Sequence, residues 1–363
     1  MSRLRVTYSI ASPAADIARR AEALAVEQSI EMPLDAVREQ RIRDEIVGRV
    51  ESIEPDGDGR FRVVLGLATE TVGGDVAQLI SMLFGNCSLQ EDVRLEDVVF
   101  PPELVAEFGG PRGGIAGLRA LLGVVDRPLT STALKPQGSS IETLAALCRT
   151  FALAEIDVIK DDHGIADQVA APFAERAAAC RRAIREAAQI TGREVLYAPS
   201  LVGPPRALHE RARTACDLGI KIVLVAPLVI GAATFHELVE GYPDLLFLAH
   251  PAFGGATRIS PAWLFGRFFR LLGADAVIYP NYGGRFSYSQ QECRDIAAAA
   301  RGPWDGLRPA FPVPAGGMTI DRVEEMVAFY GREVMLLIGG GLLSAGNALL
   351  ERSREFVAKV AQT

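Results

Sequence analysis

Lys160-Asp161-Asp162-His163 closes the largely apolar run Ile156-Asp157-Val158-Ile159. An ammonium and two carboxylates at the end of a buried strand carry a desolvation cost unless they are paired or hold an ion. In one reading the strand ends in a solvated charge cluster, and Asp161 or Asp162 caps the helix that follows. In the other, the carboxylates and a modified or charged lysine hold a hard cation such as Mg2+, which takes oxygen ligands and leaves positions open for substrate oxygens.

The elements that would position these groups fall into two parts of different rhythm. Apolar patterning predicts strands at 4–9, 46–53, 60–67 and 93–99 and helices at 13–27 and 76–83, a small α+β domain over residues 1–105. After Gly109-Gly110-Pro111-Arg112-Gly113-Gly114, short apolar runs alternate with helical stretches at 129–134, 156–160, 195–201, 221–227, 245–250, 276–280, 307–312 and 334–338. Eight such repeats over roughly 250 residues are what a (β/α)8 barrel requires, so residues 106–363 read as the catalytic domain. A doubly wound sheet would carry a phosphate-binding glycine signature after its first strand, where Leu134-Lys135-Pro136-Gln137-Gly138 stands instead.

Barrel active sites lie at the C-terminal strand ends. There the chain offers Lys135 and Gln137, then Lys160 to His163, His250-Pro251, Asn281-Tyr282-Gly283-Gly284, Ala315-Gly316-Gly317 and Gly339-Gly340-Gly341. Glycines ahead of the last two helices leave backbone N–H groups for an anion, which points to a phosphorylated substrate. His209 and His236 sit in helix-like stretches and read as surface or packing residues, whereas His250 ends a strand on the catalytic rim.

Composition narrows the class. The 363 residues are 49% hydrophobic and 23% charged with a net charge of -7, and the basic residues are scattered, so the footprint of a nucleic-acid binder is missing. Five widely spaced cysteines without a CxxC pair read as thiols of a reducing compartment, and no uncharged apolar stretch is long enough for a bilayer. These features predict a cytoplasmic enzyme without a membrane partner.

Residues spread over nearly the whole chain carry a resemblance. They are Glu27-Gln28-Ser29, Phe84-Gly85-Asn86, Arg94-Leu95-Glu96-Asp97, Arg127-Pro128-Leu129, Leu134-Lys135-Pro136, Lys160-Asp161-Asp162, His250, Ala315-Gly316-Gly317 and Gly339-Gly340-Gly341. In order and spacing they resemble the large subunit of ribulose-bisphosphate carboxylase, and more closely its non-carboxylating RuBisCO-like relatives. The resemblance implies a C-terminal (β/α)8 TIM barrel behind a smaller N-terminal α+β ferredoxin-like domain. It implies that Lys160 takes up CO2 as a carbamate, that Lys160, Asp162 and His163 hold Mg2+, and that Lys135, Lys160 and His250 are catalytic. The remaining implied contacts, to substrate and its phosphate, are Glu27, Asn86, Gln137, Ala315, Gly316, Gly317, Gly339, Gly340 and Gly341. Glu27 and Asn86 would come from a neighbouring subunit, so a homodimer with shared active sites follows.

The departures redirect the chemistry. His163 stands where the carboxylases have a glutamate ligand, Gln137 replaces a lysine, Ala315 a serine, and the loop after strand 6 lacks the lysine that orients CO2. Pro251 and Ile278 stand where the second phosphate would be held, so the substrate carries one phosphate. Gln137, His163 and Glu31-Met32 favour 3-oxo-isoapionate 4-phosphate, processed by decarboxylation or by transcarboxylation and hydrolysis. The alternatives are an enolase or isomerase of a methylthio-sugar phosphate in methionine salvage, with Met32, Phe253 or Met318 lining an apolar pocket, and a non-catalytic binding protein.

Overall fold

A computed structural model describes residues 2–304 and 306–363, with Met1 and Asp305 outside them. The chain divides into two units. The first comprises Met1–Gly109 with Phe253–Leu264, and the second Gly110–Ala252 with Phe265–Thr363.

The first unit runs β1 (Arg3–Ala11), α1 (Ile17–Glu27), β2 (Arg49–Pro55), β3 (Arg60–Ala68), α2 (Val76–Phe84) and β4 (Val93–Val99). Its antiparallel sheet has the order β2-β3-β1-β4, the ferredoxin-like arrangement. Leu4, Val6, Tyr8 and Ile10 alternate inward along β1, and α1 supplies Ile17, Ala21, Leu24 and Ala25 to the same core. The Tyr8 hydroxyl, fully buried, donates to the Leu83 carbonyl at 2.7 Å, so its polar end is satisfied without water. The insertion Phe253–Leu264 joins this unit through β4. Leu95 N–H donates to Arg258 O at 3.0 Å, and Ser260 N–H to Leu95 O at 2.8 Å.

The second unit is the barrel. Its strands are β5 (Leu129–Leu134), β6 (Val158–Asp161), β7 (Leu196–Ala198), β8 (Ser200–Leu201), β9 (Ile222–Val225), β10 (Leu246–Ala249), β11 (Ala276–Pro280), β12 (Phe311–Ala315) and β13 (Met335–Leu337). All pair in parallel, in the orders β13-β5-β6-β7 and β8-β9-β10-β11-β12. Two of the expected strands differ, both because of proline. The strand expected over 195–201 is divided at Pro199, whose carbonyl accepts from Leu224 N–H at 2.9 Å. The strand expected over 307–312 lies instead at Phe311–Ala315 and runs through Pro312 and Pro314. Phe311 N–H faces β11 and donates to Asp275 O, so by the two-residue alternation both proline nitrogens face β13. Lacking N–H groups there, β12 forms no ladder with β13 among the described residues.

Inward-facing Leu129, Val158, Ile222, Leu248, Ile278, Val313 and Met335 fill the barrel. The helix Gly114–Leu122 closes its N-terminal end with Ile115, Leu118 and Leu122. Buried Asp275, just ahead of β11, accepts from Gly113 N–H (2.8 Å), Gly114 N–H (2.6 Å) and Phe247 N–H (2.8 Å), which fixes that helix in place. The opposite end of the barrel is left for chemistry. Among the described residues no helix is long and apolar enough to cross a membrane.

Candidate functional site

Register brings the first charged groups together. Ala133 is paired with Lys160 and Leu134 with Asp161, and Asp162 N–H donates to Leu134 O at 3.1 Å, so Lys135 and Asp162 emerge side by side. Lys135 Nζ donates to Asp162 Oδ1 at 2.7 Å. Burial works against the Asp162 carboxylate, but the His163 and Lys135 side chains and the Lys160 charge outweigh it and hold Asp162 well below the usual carboxylate range.

The neighbouring aspartate is spent differently. Strand alternation turns Asp161 away from the rim, where it accepts from Tyr197 Oη (2.7 Å), Ser200 N–H (3.0 Å) and Arg176 Nε (3.2 Å). Of the two carboxylates, only Asp162 reaches the rim.

Lys160 is 3% exposed and its Nζ donates to Asp161 O at 2.9 Å. Burial, joined by repulsion from Lys135 and opposed by Asp162, lowers its pKa to about 8. A share of it is therefore a neutral amine near neutral pH, the form that accepts a proton or adds CO2.

His250 follows β10, and its Nδ1 accepts from Ala252 N–H at 3.1 Å. Burial, with the charge of Lys160 and the proximity of His163, keeps its imidazole neutral far below the ordinary histidine range. The His163 ring lies flat on it, with centroids 4.1 Å apart and planes within 12°, and His163 Nδ1 is 3.5 Å from Asp162 Oδ1. Lys135, Lys160, Asp162, His163 and His250 thus form one cluster at the C-terminal ends of β5, β6 and β10.

The glycines adjoin it. A Cβ on Gly339 would sit 3.8 Å from Lys135 Cε, and one on Gly341 would sit 3.0 Å from Met318 O, so the loop after β13 touches both the lysine and the loop after β12. The N–H groups of Gly316, Gly317 and Gly339 donate to no described atom. The expected helix ends are less regular than foreseen. A four-residue helix, Gly340–Leu343, follows β13, and the helix Val323–Tyr330 begins several residues beyond Gly317. The cradle is therefore one of open glycine amides more than of helix termini.

Of the other expected residues, some support the barrel rim and some belong to the first unit. Gln137 lies against Gly164, where a Cβ would fall 1.7 Å from its Nε2, so its amide packs on the loop after β6. Ala315 O accepts from Asn281 N–H at 2.8 Å. Asn86 Nδ2 donates to Glu27 Oε1 at 2.9 Å, and this pair belongs to the first unit. Met318 is buried with its Sδ 3.1 Å from Asn281 Nδ2, which removes it as a free apolar surface, whereas Met32 and Phe253 of the first unit are exposed.

Two supporting residues, Arg176 and Phe286, escaped the sequence reading. Arg176, on the helix Phe173–Thr191, neutralises Asp161, and an arginine among that helix's apolar positions was the available signal. Phe286, half exposed, lies on Gly316, and Arg285 N–H donates to Gly316 O at 2.8 Å, so the loop after β11 is seated on the glycine loop. No pattern in that irregular segment announces the contact.

Among the described residues no three His, Cys, Asp or Glu side chains come together as a metal site. The donor set fits a hard cation when Lys160 is counted as a carbamate beside Asp162, because the modification replaces a repelling ammonium by anionic oxygens.

Comparison with known proteins agrees with this architecture. Residues 114–348 match the ribulose bisphosphate carboxylase large chain, catalytic domain. The chain is 53% identical to ribulose bisphosphate carboxylase-like protein 1 of Rhodopseudomonas palustris, over 99% of this chain and 98% of that protein. It is 52% identical to a protein of Rhodospirillum rubrum named 5-methylthioribulose-1-phosphate isomerase, over 99% of this chain and 96% of the other. The crystal structure of a Rubisco-like protein from Rhodopseudomonas palustris superposes with a TM-score of 0.93 at 47% identity, covering 100% of this chain and 98% of that one.

Proposed function

This chain belongs to the ribulose bisphosphate carboxylase large-chain family as a RuBisCO-like member, and from that premise we propose that it isomerises a mono-phosphorylated, methylthio-substituted ketopentose by enolisation. The observation that carries the reading is the buried Lys160, its pKa lowered to about 8, clustered with Lys135, Asp162 and a neutral His250 in a chain so similar to a named isomerase.

The chemistry divides among these residues. Isomerisation of a ketose needs a base to take the proton from the carbon beside the carbonyl and a donor set to hold the enediolate until a proton returns to the other carbon. Lys160 is the base. Lys135, paired with Asp162, donates to the developing oxyanion, and neutral His250 offers a hydrogen bond without adding a cation beside Lys160. The open amides of Gly316, Gly317 and Gly339 hold the phosphate. Ala315, Pro251 and Ile278 offer no charged or hydroxyl donor for a second one. A divalent cation, Mg2+, would be held by Asp162 and carbamylated Lys160, where it would polarise the substrate carbonyl.

The reading is tested by assaying 5-methylthioribulose 1-phosphate against 3-oxo-isoapionate 4-phosphate, with solvent-deuterium exchange beside the carbonyl as a second readout. Turnover of the methylthio sugar is expected, supported by a divalent cation and bicarbonate, with exchange and turnover both lost in Lys160→Ala. Turnover of the branched sugar acid alone overturns the substrate. Undiminished exchange in Lys160→Ala overturns the mechanism, and unchanged activity after chelation overturns the metal. The branched sugar acid, favoured from Gln137, His163 and Glu31-Met32, has less support, because Gln137 packs on Gly164 and a close relative carries the isomerase name.

Glu27 and Asn86 are proposed to complete the site of a second copy in a homodimer. Mixing Glu27→Ala with Lys160→Ala should then restore about a quarter of wild-type activity, as expected when one of the two sites in each mixed dimer is intact. No recovery after verified subunit exchange counts against sharing.

A further inference from the structure

His163 is half exposed, yet its imidazole is not a free surface group. It lies parallel to His250 at 4.1 Å between centroids and within 12° of coplanarity, on the more buried of the two rings. His250 has a second restraint from its own backbone, because Ala252 N–H donates to Nδ1 at 3.1 Å. An acceptor role for Nδ1 leaves the proton of the neutral ring on Nε2. One contact therefore selects the tautomer, and the other covers the ring face.

We infer that His163 is a positioning residue whose ring holds His250 in place, so that His250 presents a single tautomer, Nε2–H, to the rim. The assignment differs from a third metal ligand in what it requires of residue 163. Ligation needs a nitrogen, whereas stacking needs a flat ring. Without that ring the outer face of His250 opens to water, and the one bond from Ala252 is left to define both tautomer and ring plane. A donor group displaced by about 1 Å loses much of its effect on a reacting oxygen.

Two readouts test this, and the kinetic one rests on the isomerase reading. His163→Phe keeps the ring and removes both nitrogens, His163→Gln keeps a polar nitrogen and removes the ring, and His163→Ala removes both. The chain has four histidines, so 15N-histidine labelling resolves His250, assigned by the loss of its signals in His250→Gln. Nε2–H signals with an unprotonated Nδ1 are expected in the wild type and in His163→Phe, and averaged tautomers in His163→Ala and His163→Gln. On the substrate, kcat should fall about ten-fold in His163→Ala and His163→Gln with KM little changed, and His163→Phe should restore most of the loss. An unaltered His250 spectrum in His163→Ala overturns the inference, as does a His163→Phe variant no better than His163→Ala. If the wild type does not turn over the methylthio sugar, the isomerase reading falls by itself and the tautomer spectra decide this one.

Discussion

The two ends of the barrel treat buried charge in opposite ways. At the N-terminal end, Asp157 is fully buried and accepts from Arg127 Nη1 and Nη2 (2.8 and 2.9 Å), Thr130 N–H (2.7 Å), Thr130 Oγ1 (2.9 Å) and Arg193. Burial alone would raise its pKa, but the two guanidinium partners outweigh it and keep it ionised. Asp275 is likewise closed by three backbone donors. At the C-terminal rim, Lys160 finds one backbone acceptor among the described residues, and three glycine N–H groups find none. Polar groups that the protein satisfies internally hold the barrel together, and those it leaves open are the ones proposed above to meet the substrate.

The largest effect should come from breaking the closed end. Asp157→Ala strands Arg127 and Arg193 beside a buried void and should cost about 3–5 kcal/mol of unfolding free energy, while kcat at a temperature where the variant stays folded is nearly unchanged. Asp162→Asn, on the rim, should cost only about 1 kcal/mol, since its partner Lys135 is partly exposed, yet should remove most of the activity. Denaturant unfolding and steady-state kinetics on both variants measure the contrast. A large stability loss in Asp162→Asn, or a collapse of kcat in folded Asp157→Ala, would erase the division between the two ends.

How much of this was legible depends on the physical scale of the signal. Apolar runs ended by polar residues placed β5 and β11 to the residue and put Lys160 and Asp162 on the rim, because burial is written into local composition. β12 was misplaced because three prolines, Pro309, Pro312 and Pro314, disguise a strand whose N–H groups are needed on one side only. The stacking of His163 on His250 joins segments almost ninety residues apart through the conformation of an irregular loop, which no periodicity encodes. The docking of Phe253–Leu264 on β4 was hidden for a related reason, since two backbone bonds at Leu95 and the Arg258 side chain on the Ser88 and Val93 carbonyls carry it without a strand pattern. Asp161 could have been separated from Asp162 beforehand, for strand alternation already sends them to opposite faces.

The smallest effect concerns the open glycines, and it separates backbone strain from anion binding. Gly316 has φ +86, and a Cβ there would meet Phe286 Cδ2 and Cε2 at 3.1 Å. Gly316→Ala should therefore cost about 1–2 kcal/mol through the left-handed backbone, plus a smaller steric share from the contact with the half-exposed Phe286 ring. If the Gly316 and Gly317 amides hold the phosphate, the same variant should raise KM several-fold and weaken competitive inhibition by inorganic phosphate, with kcat less affected, because the contact serves ground state and transition state alike. Phe286→Ala in the same background relieves the steric contact but leaves φ unchanged. Recovery of stability without recovery of KM would then identify the amide direction at Gly316 as what the phosphate reads. Unaltered phosphate inhibition in Gly316→Ala would move the anion to the loop after β13, leaving Gly316 with only the task of seating Phe286.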